Sequence, residues 1–212
     1  MENNNLSRNI AQNLLQIKAI KFNTTNPFIW ASGIKSPIYC DNRKTLSFPK
    51  VRNIIKKAFV EIIKENFPDT EIIAGVATGA IAQGALVADE LNLSFIYVRP
   101  DAKSHGLKNM IEGTIEKGKK VVVVEDLIST GGSSLKAVDA IRKEECEILG
   151  MVAIFTYGFN VAKENFKKSN CKLITLSNYD DLIKLAEETG YIEKKELSTL
   201  IEWKKNPEKW KK

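Results

Sequence analysis

A chain of 212 residues, 43% hydrophobic and 27% charged, is composed like an ordinary globular protein that buries one good core and does not require two domains. Its formal net charge of +6 is mixed with acids along the chain, apart from a local excess in WKKNPEKWKK. That pattern shows no concentrated nucleic-acid-binding face and favours a solvated, soluble surface, whose field would also benefit anionic small-molecule substrates. Three widely separated cysteines, Cys40, Cys146 and Cys171, form no CxxC or Cys/His cluster, and MENNNLSRNI lacks the apolar core of a signal peptide. A disulfide framework and a zinc site are excluded on that pattern, and the expected location is the cytoplasm.

The first predicted element is a helix over residues 7–22, with Ser7 as N-cap and Ile10, Leu14, Ile17 and Ile20 at helical spacing. A short extended region follows, in which residues 28–30 and 37–40 flank the turn Ala31-Ser32-Gly33. Residues 48–67 read as a long amphipathic helix with Val51, Ile54, Ile55, Ala58, Phe59, Ile62 and Ile63 on one face.

From there strands and helices alternate. The pattern predicts a strand at 72–76, a helix at 79–91, a strand at 94–98 and a polar segment over 99–113. Next come a strand at 121–124, a helix from 133 to 143, a strand at 148–156, a helix near 161–168 and a strand at 172–175, before a helical region over 179–203. The uncharged run 72–88 falls short of the ~20 residues that cross a bilayer and is broken by Gly75, Gly79 and Gly84, so no membrane contact is expected. Alternation of this kind predicts an α/β fold, a mainly parallel sheet with helices on both faces. Right-handed crossovers then bring the strand C-termini to one edge, where ligands of such sheets bind.

Three segments should meet at that edge. VVVVEDLISTGGSS, from Val121 to Ser134, puts a buried strand, the carboxylates Glu125 and Asp126, and a Gly-rich turn in front of a helix. Backbone amides of such a turn wrap phosphate with help from the helix dipole, and adjacent carboxylates suit ribose hydroxyls or Mg²⁺. No Lys follows the glycines and GxGxxG spacing is absent, so neither a Walker loop nor a dinucleotide fingerprint is present. The second segment, Ala77-Thr78-Gly79-Ala80, allows close approach of an anion to backbone amides, or is simply a helix-packing turn. The third runs from Arg99 through Lys103, His105 and Gly106 to Gly113, a polar loop of a length that is usually functional or disordered. Arg99 can fork onto phosphate oxygens, Lys103 adds a mobile charge, and the glycines suit the hinges of a lid; a solvated loop with a surface histidine is the plain alternative.

The acidic pair before T-G-G-S resembles the ribose-5-phosphate signature of type I phosphoribosyltransferases. R-x-x-x-K-x-H-G at Arg99, Lys103, His105 and Gly106 narrows the resemblance, as do Ser32-Gly33-Ile34-Lys35-Ser36-Pro37 and Tyr39-Cys40-Asp41-Asn42-Arg43-Lys44, to the orotate phosphoribosyltransferases. That resemblance covers roughly residues 20–190. It implies one phosphoribosyltransferase domain over residues 1–212, with residues 20–45 contributing a small N-terminal hood over the base.

It also implies transfer of ribose 5-phosphate from phosphoribosyl pyrophosphate (PRPP) to orotate, in UMP synthesis. Lys103, His105 and Arg99 would be catalytic. PRPP would be held by those three with Glu125, Asp126, Leu127, Ile128, Ser129, Thr130, Gly131, Gly132 and Ser133. Orotate would meet Ser129 and Lys35, and Mg²⁺ would sit at Asp126, through water. Family members are homodimers whose mobile loop reaches the partner's site. Departures from some members stand at Pro100, Ala31, Thr78-Gly79 and Phe155–Phe159, where some carry an orotate-gripping Arg. The competing readings are a purine or uracil phosphoribosyltransferase and a PRPP-sensing regulator.

Overall fold

The computed structural model describes residues 2–30, 33–100 and 110–210. Helix α1 spans Glu2–Gln16 and stops earlier than its apolar spacing predicts. Lys18 adopts a left-handed conformation (φ 54°), and the Ala19 amide closes back on the Leu14 carbonyl at 2.9 Å. Ile20–Phe22 therefore leaves the helix as strand β1, which finds its backbone partners in an antiparallel ladder with Ile38–Cys40 (β4). Between them, Phe28–Ile29 (β2) and Lys35–Ser36 (β3) pair as a second small hairpin. These two ribbons form the hood. A 3₁₀ segment, Asn42–Ser47, joins it to α2 (Pro49–Asn66), which begins on proline where no amide hydrogen bond is needed.

The main sheet is assembled from β5 (Ile72–Val76), β6 (Ser94–Val98), β7 (Ile111–Glu112), β8 (Lys120–Ile128), β9 (Glu147–Thr156) and β10 (Leu173–Asn178). Its order is β10-β9-β8-β5-β6-β7, parallel throughout except for β7, which runs antiparallel to β6. The connecting helices are α3 (Ile81–Leu91), α4 (Gly132–Lys143), α5 (Asn160–Lys168), α6 (Tyr179–Glu188) and α7 (Lys194–Lys205). Side chains alternate along Val121–Val124 of β8. Val122 and Val124 enter the core under α1, α2, α3, α6 and α7, while Val121 and Val123 enter the core under α4 and α5. Helices on both faces explain why the strand reads as an unbroken apolar run.

Two boundaries differ from expectation in ways that matter. Strand β8 continues to Ile128, so Glu125 and Asp126 lie inside the ladder rather than beyond its end; Glu125 pairs with Ala153 and Leu127 with Phe155. The helical region after residue 178 is two helices, separated at Gly190, whose φ of 73° no ordinary helix accommodates. Among the described residues no helix is long and apolar enough to cross a membrane.

Candidate active site

The C-terminal edge of the sheet brings together the ends of β5, β6 and β8. After β5 the chain turns through Ala77–Ala80, with the Ala77 amide donating to the Val98 carbonyl at 2.8 Å and the Ala80 amide to the Val76 carbonyl at 3.0 Å. The Ala77–Thr78 peptide is cis. Gly79 faces the neighbouring strand end so closely that a Cβ there would collide with the carboxylate of Asp126. Thr78 is exposed and Gly79 half-buried, so this turn and Asp126 together line one open wall.

The two acids occupy different environments, as alternation along a strand requires. Glu125 is buried. Its Oε1 accepts from the Asp126 amide at 2.9 Å and its Oε2 from Ser134 Oγ at 2.8 Å. Burial, reinforced by the Asp126 charge, pushes the Glu125 carboxyl well above the usual carboxylate range. Asp126 is half-buried and turned towards Gly79. Its backbone carbonyl accepts from Asn42 Nδ2 at 2.6 Å, which ties the hood-side 3₁₀ segment to the central strand. The network extends from there, since Thr45 Oγ1 donates to the Asn42 carbonyl at 2.6 Å and receives Gln83 Nε2 of α3 at 3.2 Å.

Beyond Asp126 the strand ends in the turn 129–131. Leu127 packs against one core and Ile128 is fully buried in the other, its carbonyl accepting from the Tyr157 amide at 3.1 Å. Gly131 caps α4 with φ 80°, and its missing side chain leaves room for the Phe166 ring, 2.7 Å from where a Cβ would stand. No side chain caps the helix and no acid lies in its first turn. Its amides and dipole therefore lack an anionic side chain of their own, with Thr130, Gly132 and Ser133 exposed around them. This geometry suits a phosphate.

On the other side stands the hood. Trp30 and Ile34 line a pocket of about 500 Å³ together with Ser129, Thr130, Gly158 and Phe159, within the size range of small-ligand sites. Lys35 lies on β3, exposed, and its carbonyl accepts from Trp203 Nε1 of α7 at 3.1 Å. Arg99, at the end of β6, holds Glu112 at 3.5 Å and is anchored by its amide to the Met110 carbonyl. Lys103 and His105 lie outside the described residues, as do Ala31 and Ser32.

The sequence motifs thus place Arg99, Glu125, Asp126 and the turn Ser129–Ser133 at one edge of the sheet. Sequence reading missed Ser134, Asn42 and Trp203. Ser134 was legible as the residue one helical turn from Gly131 in a Gly-Gly-Ser-Ser start; Asn42 and Trp203 act through contacts 84 and 168 residues distant, which carry no local signal.

A phosphoribosyl transferase domain model matches residues 44–188. The chain belongs to the phosphoribosyl transferase family. Sequence relatives narrow this: an orotate phosphoribosyltransferase of Bacteroides thetaiotaomicron is 60% identical over 206 residues, 97% of each chain. Among solved structures, orotate phosphoribosyltransferase from Aeropyrum pernix superposes with a TM-score of 0.75 at 26% identity, covering 87% of this chain and 99% of that one. Leishmania donovani UMP synthase shares the fold, with a TM-score of 0.79 at 23% identity over 94% of this chain and 42% of that chain.

Proposed function

We propose that this protein transfers the 5-phosphoribosyl group of PRPP to orotate, giving orotidine 5′-monophosphate and pyrophosphate in pyrimidine synthesis. The observation that carries this is the meeting of Asp126, the Gly79 turn and the uncapped start of α4 at one sheet edge, in a chain 60% identical to a named orotate phosphoribosyltransferase.

The chemistry follows from charge. The C–O bond from the sugar C1′ to diphosphate breaks with its electron pair going to the leaving group, while positive charge grows on the ribose. The orotate ring nitrogen then closes on C1′ and gives up its N–H proton to the departing diphosphate, so no protein nucleophile is required. Amides of residues 129–133 hold the 5′-phosphate. Arg99, Lys103 and His105 meet the charge that develops on diphosphate, and a closed loop strengthens that interaction by excluding water. Asp126 holds the ribose hydroxyls. Glu125, both oxygens already engaged by Ser134 and the Asp126 amide, fixes the strand end behind it.

Mg²⁺ fits this donor set. Among the described residues no group of three or more acidic, Cys or His side chains gathers as a cage, and Mg²⁺ characteristically binds one or two carboxylates, substrate oxygens and water. Asp126 would hold it through water, and a bound ion would offset the negative charge of the diphosphate. The working unit is a homodimer in the cytoplasm.

Loss of orotate absorbance in the presence of PRPP and Mg²⁺ tests the assignment. Consumption that requires both is expected. Turnover of a purine or uracil with no use of orotate would overturn it.

A further inference from the structure

The C-terminal helix reaches the pocket that the hood covers. Trp203 donates to the Lys35 carbonyl at 3.1 Å, and Thr24 Oγ1 donates to Glu196 Oε1 at 3.0 Å, so α7 is fastened to the hood at two points. The residue after Trp203 is Lys204. Its Nζ contacts Asp180 Oδ2 at 2.6 Å, stands 5.8 Å from the centre of the Tyr179 ring, and its side chain is 22% exposed. The same ammonium lies 3.4 Å from the position a Cβ would take on Gly158.

Gly158 is next to the phosphate turn, because the Tyr157 amide is bonded to the Ile128 carbonyl at 3.1 Å. A glycine with φ 68° therefore leaves a bare stretch of backbone between Ser129 and the Lys204 ammonium. Lys163 and Lys205 line the same pocket, but both are exposed, whereas Lys204 is half-buried and held in place.

We propose that Lys204 is the specificity-determining cation of the acceptor pocket, receiving the carboxylate of the acceptor ring across Gly158. The proposal rests on the transfer to orotate argued above. A ring bearing a carboxylate gains a charge-assisted bond at Lys204, and the same ring without one gains nothing. Asp180 orients the lysine and competes with the substrate for its charge.

Steady-state kinetics on the full chain test this, with Lys204→Met, Lys204→Arg and Asp180→Asn beside wild type. Lys204→Met should raise the KM for orotate by roughly tenfold or more while the KM for PRPP stays near wild type, and Lys204→Arg should restore most of the loss. Asp180→Asn should lower the KM for orotate, since it frees the lysine. An unchanged orotate KM in Lys204→Met overturns the role of Lys204 while leaving the transferase standing. Parallel rises in Lys204→Met and Asp180→Asn overturn it too, because the ion pair between α6 and α7 would then be what the site needs. A wild-type protein that consumes no orotate overturns both.

Discussion

The space where Gly79 would carry a side chain is filled by the carboxylate of Asp126, so the turn after β5 and the last part of β8 share one van der Waals boundary. Neither residue can be altered without the other responding. The glycine is required by its neighbour rather than by its own backbone angles, since it is absent from the residues with positive φ.

Gly79→Ala should therefore push the Asp126 carboxylate out of position. Overpacking of a well-filled site costs about 1–3 kcal/mol, and the functional effect should exceed the loss of stability. The expected result is a KM for PRPP raised by about tenfold or more, the equivalent of ~1.4 kcal/mol, with a modest drop in thermal midpoint. An unchanged PRPP KM would show that Asp126 does not take part in holding the sugar.

Glu125 predicts a pH effect on stability. Burial raises its pKa on folding, so its protonated form favours the folded state. That contribution is complete below the ordinary glutamate value near ~4.3 and is lost as pH rises through the raised folded-state value. Glu125→Gln keeps an acceptor oxygen for the Asp126 amide and presents an NH2 donor to Ser134 Oγ, but cannot ionise. Thermal midpoints measured from acid to mildly alkaline pH should show the variant gaining on wild type as pH increases. A difference that does not vary with pH would contradict a proton held at this site.

Lys103 carries the largest kinetic prediction. If it meets the charge growing on diphosphate, Lys103→Ala should reduce turnover by ~10²–10³, as loss of one preorganised electrostatic donor does. Circular dichroism and the thermal midpoint should not move. Near-wild-type turnover would remove Lys103 from the chemistry.

Much of this architecture is written in short-range pattern. The β-branched run Val121–Val124 identifies a strand buried on both faces, and Glu125-Asp126 followed by Gly131-Gly132 places the ligand edge next to it. Such signals are local, as are the apolar spacings of α2 and α3. The failures share a cause. Strand β8 extends past its apolar run because the ladder with β9 supplies backbone partners regardless of side-chain polarity. Helix α1 stops at Gln16 although Ile17 and Ile20 keep helical spacing, because β4 captures Ile20–Phe22 from 18 residues further along. The difference between Glu125 and Asp126 could not be read either. Both are acids in sequence, and only the pleat decides that one is buried against Ser134 and the other opens onto Gly79.

The two fastenings between α7 and the hood join residues 172 and 168 positions apart. A growing chain on the ribosome can lay down its sheet and phosphate turn long before those partners exist, since domains begin folding during synthesis. The roof of the acceptor pocket must wait for Glu196 and Trp203 to emerge. A polypeptide interrupted before residue 194 would lack both the clamp that seats that roof and the Leu200 and Trp203 side chains that complete the core beneath it.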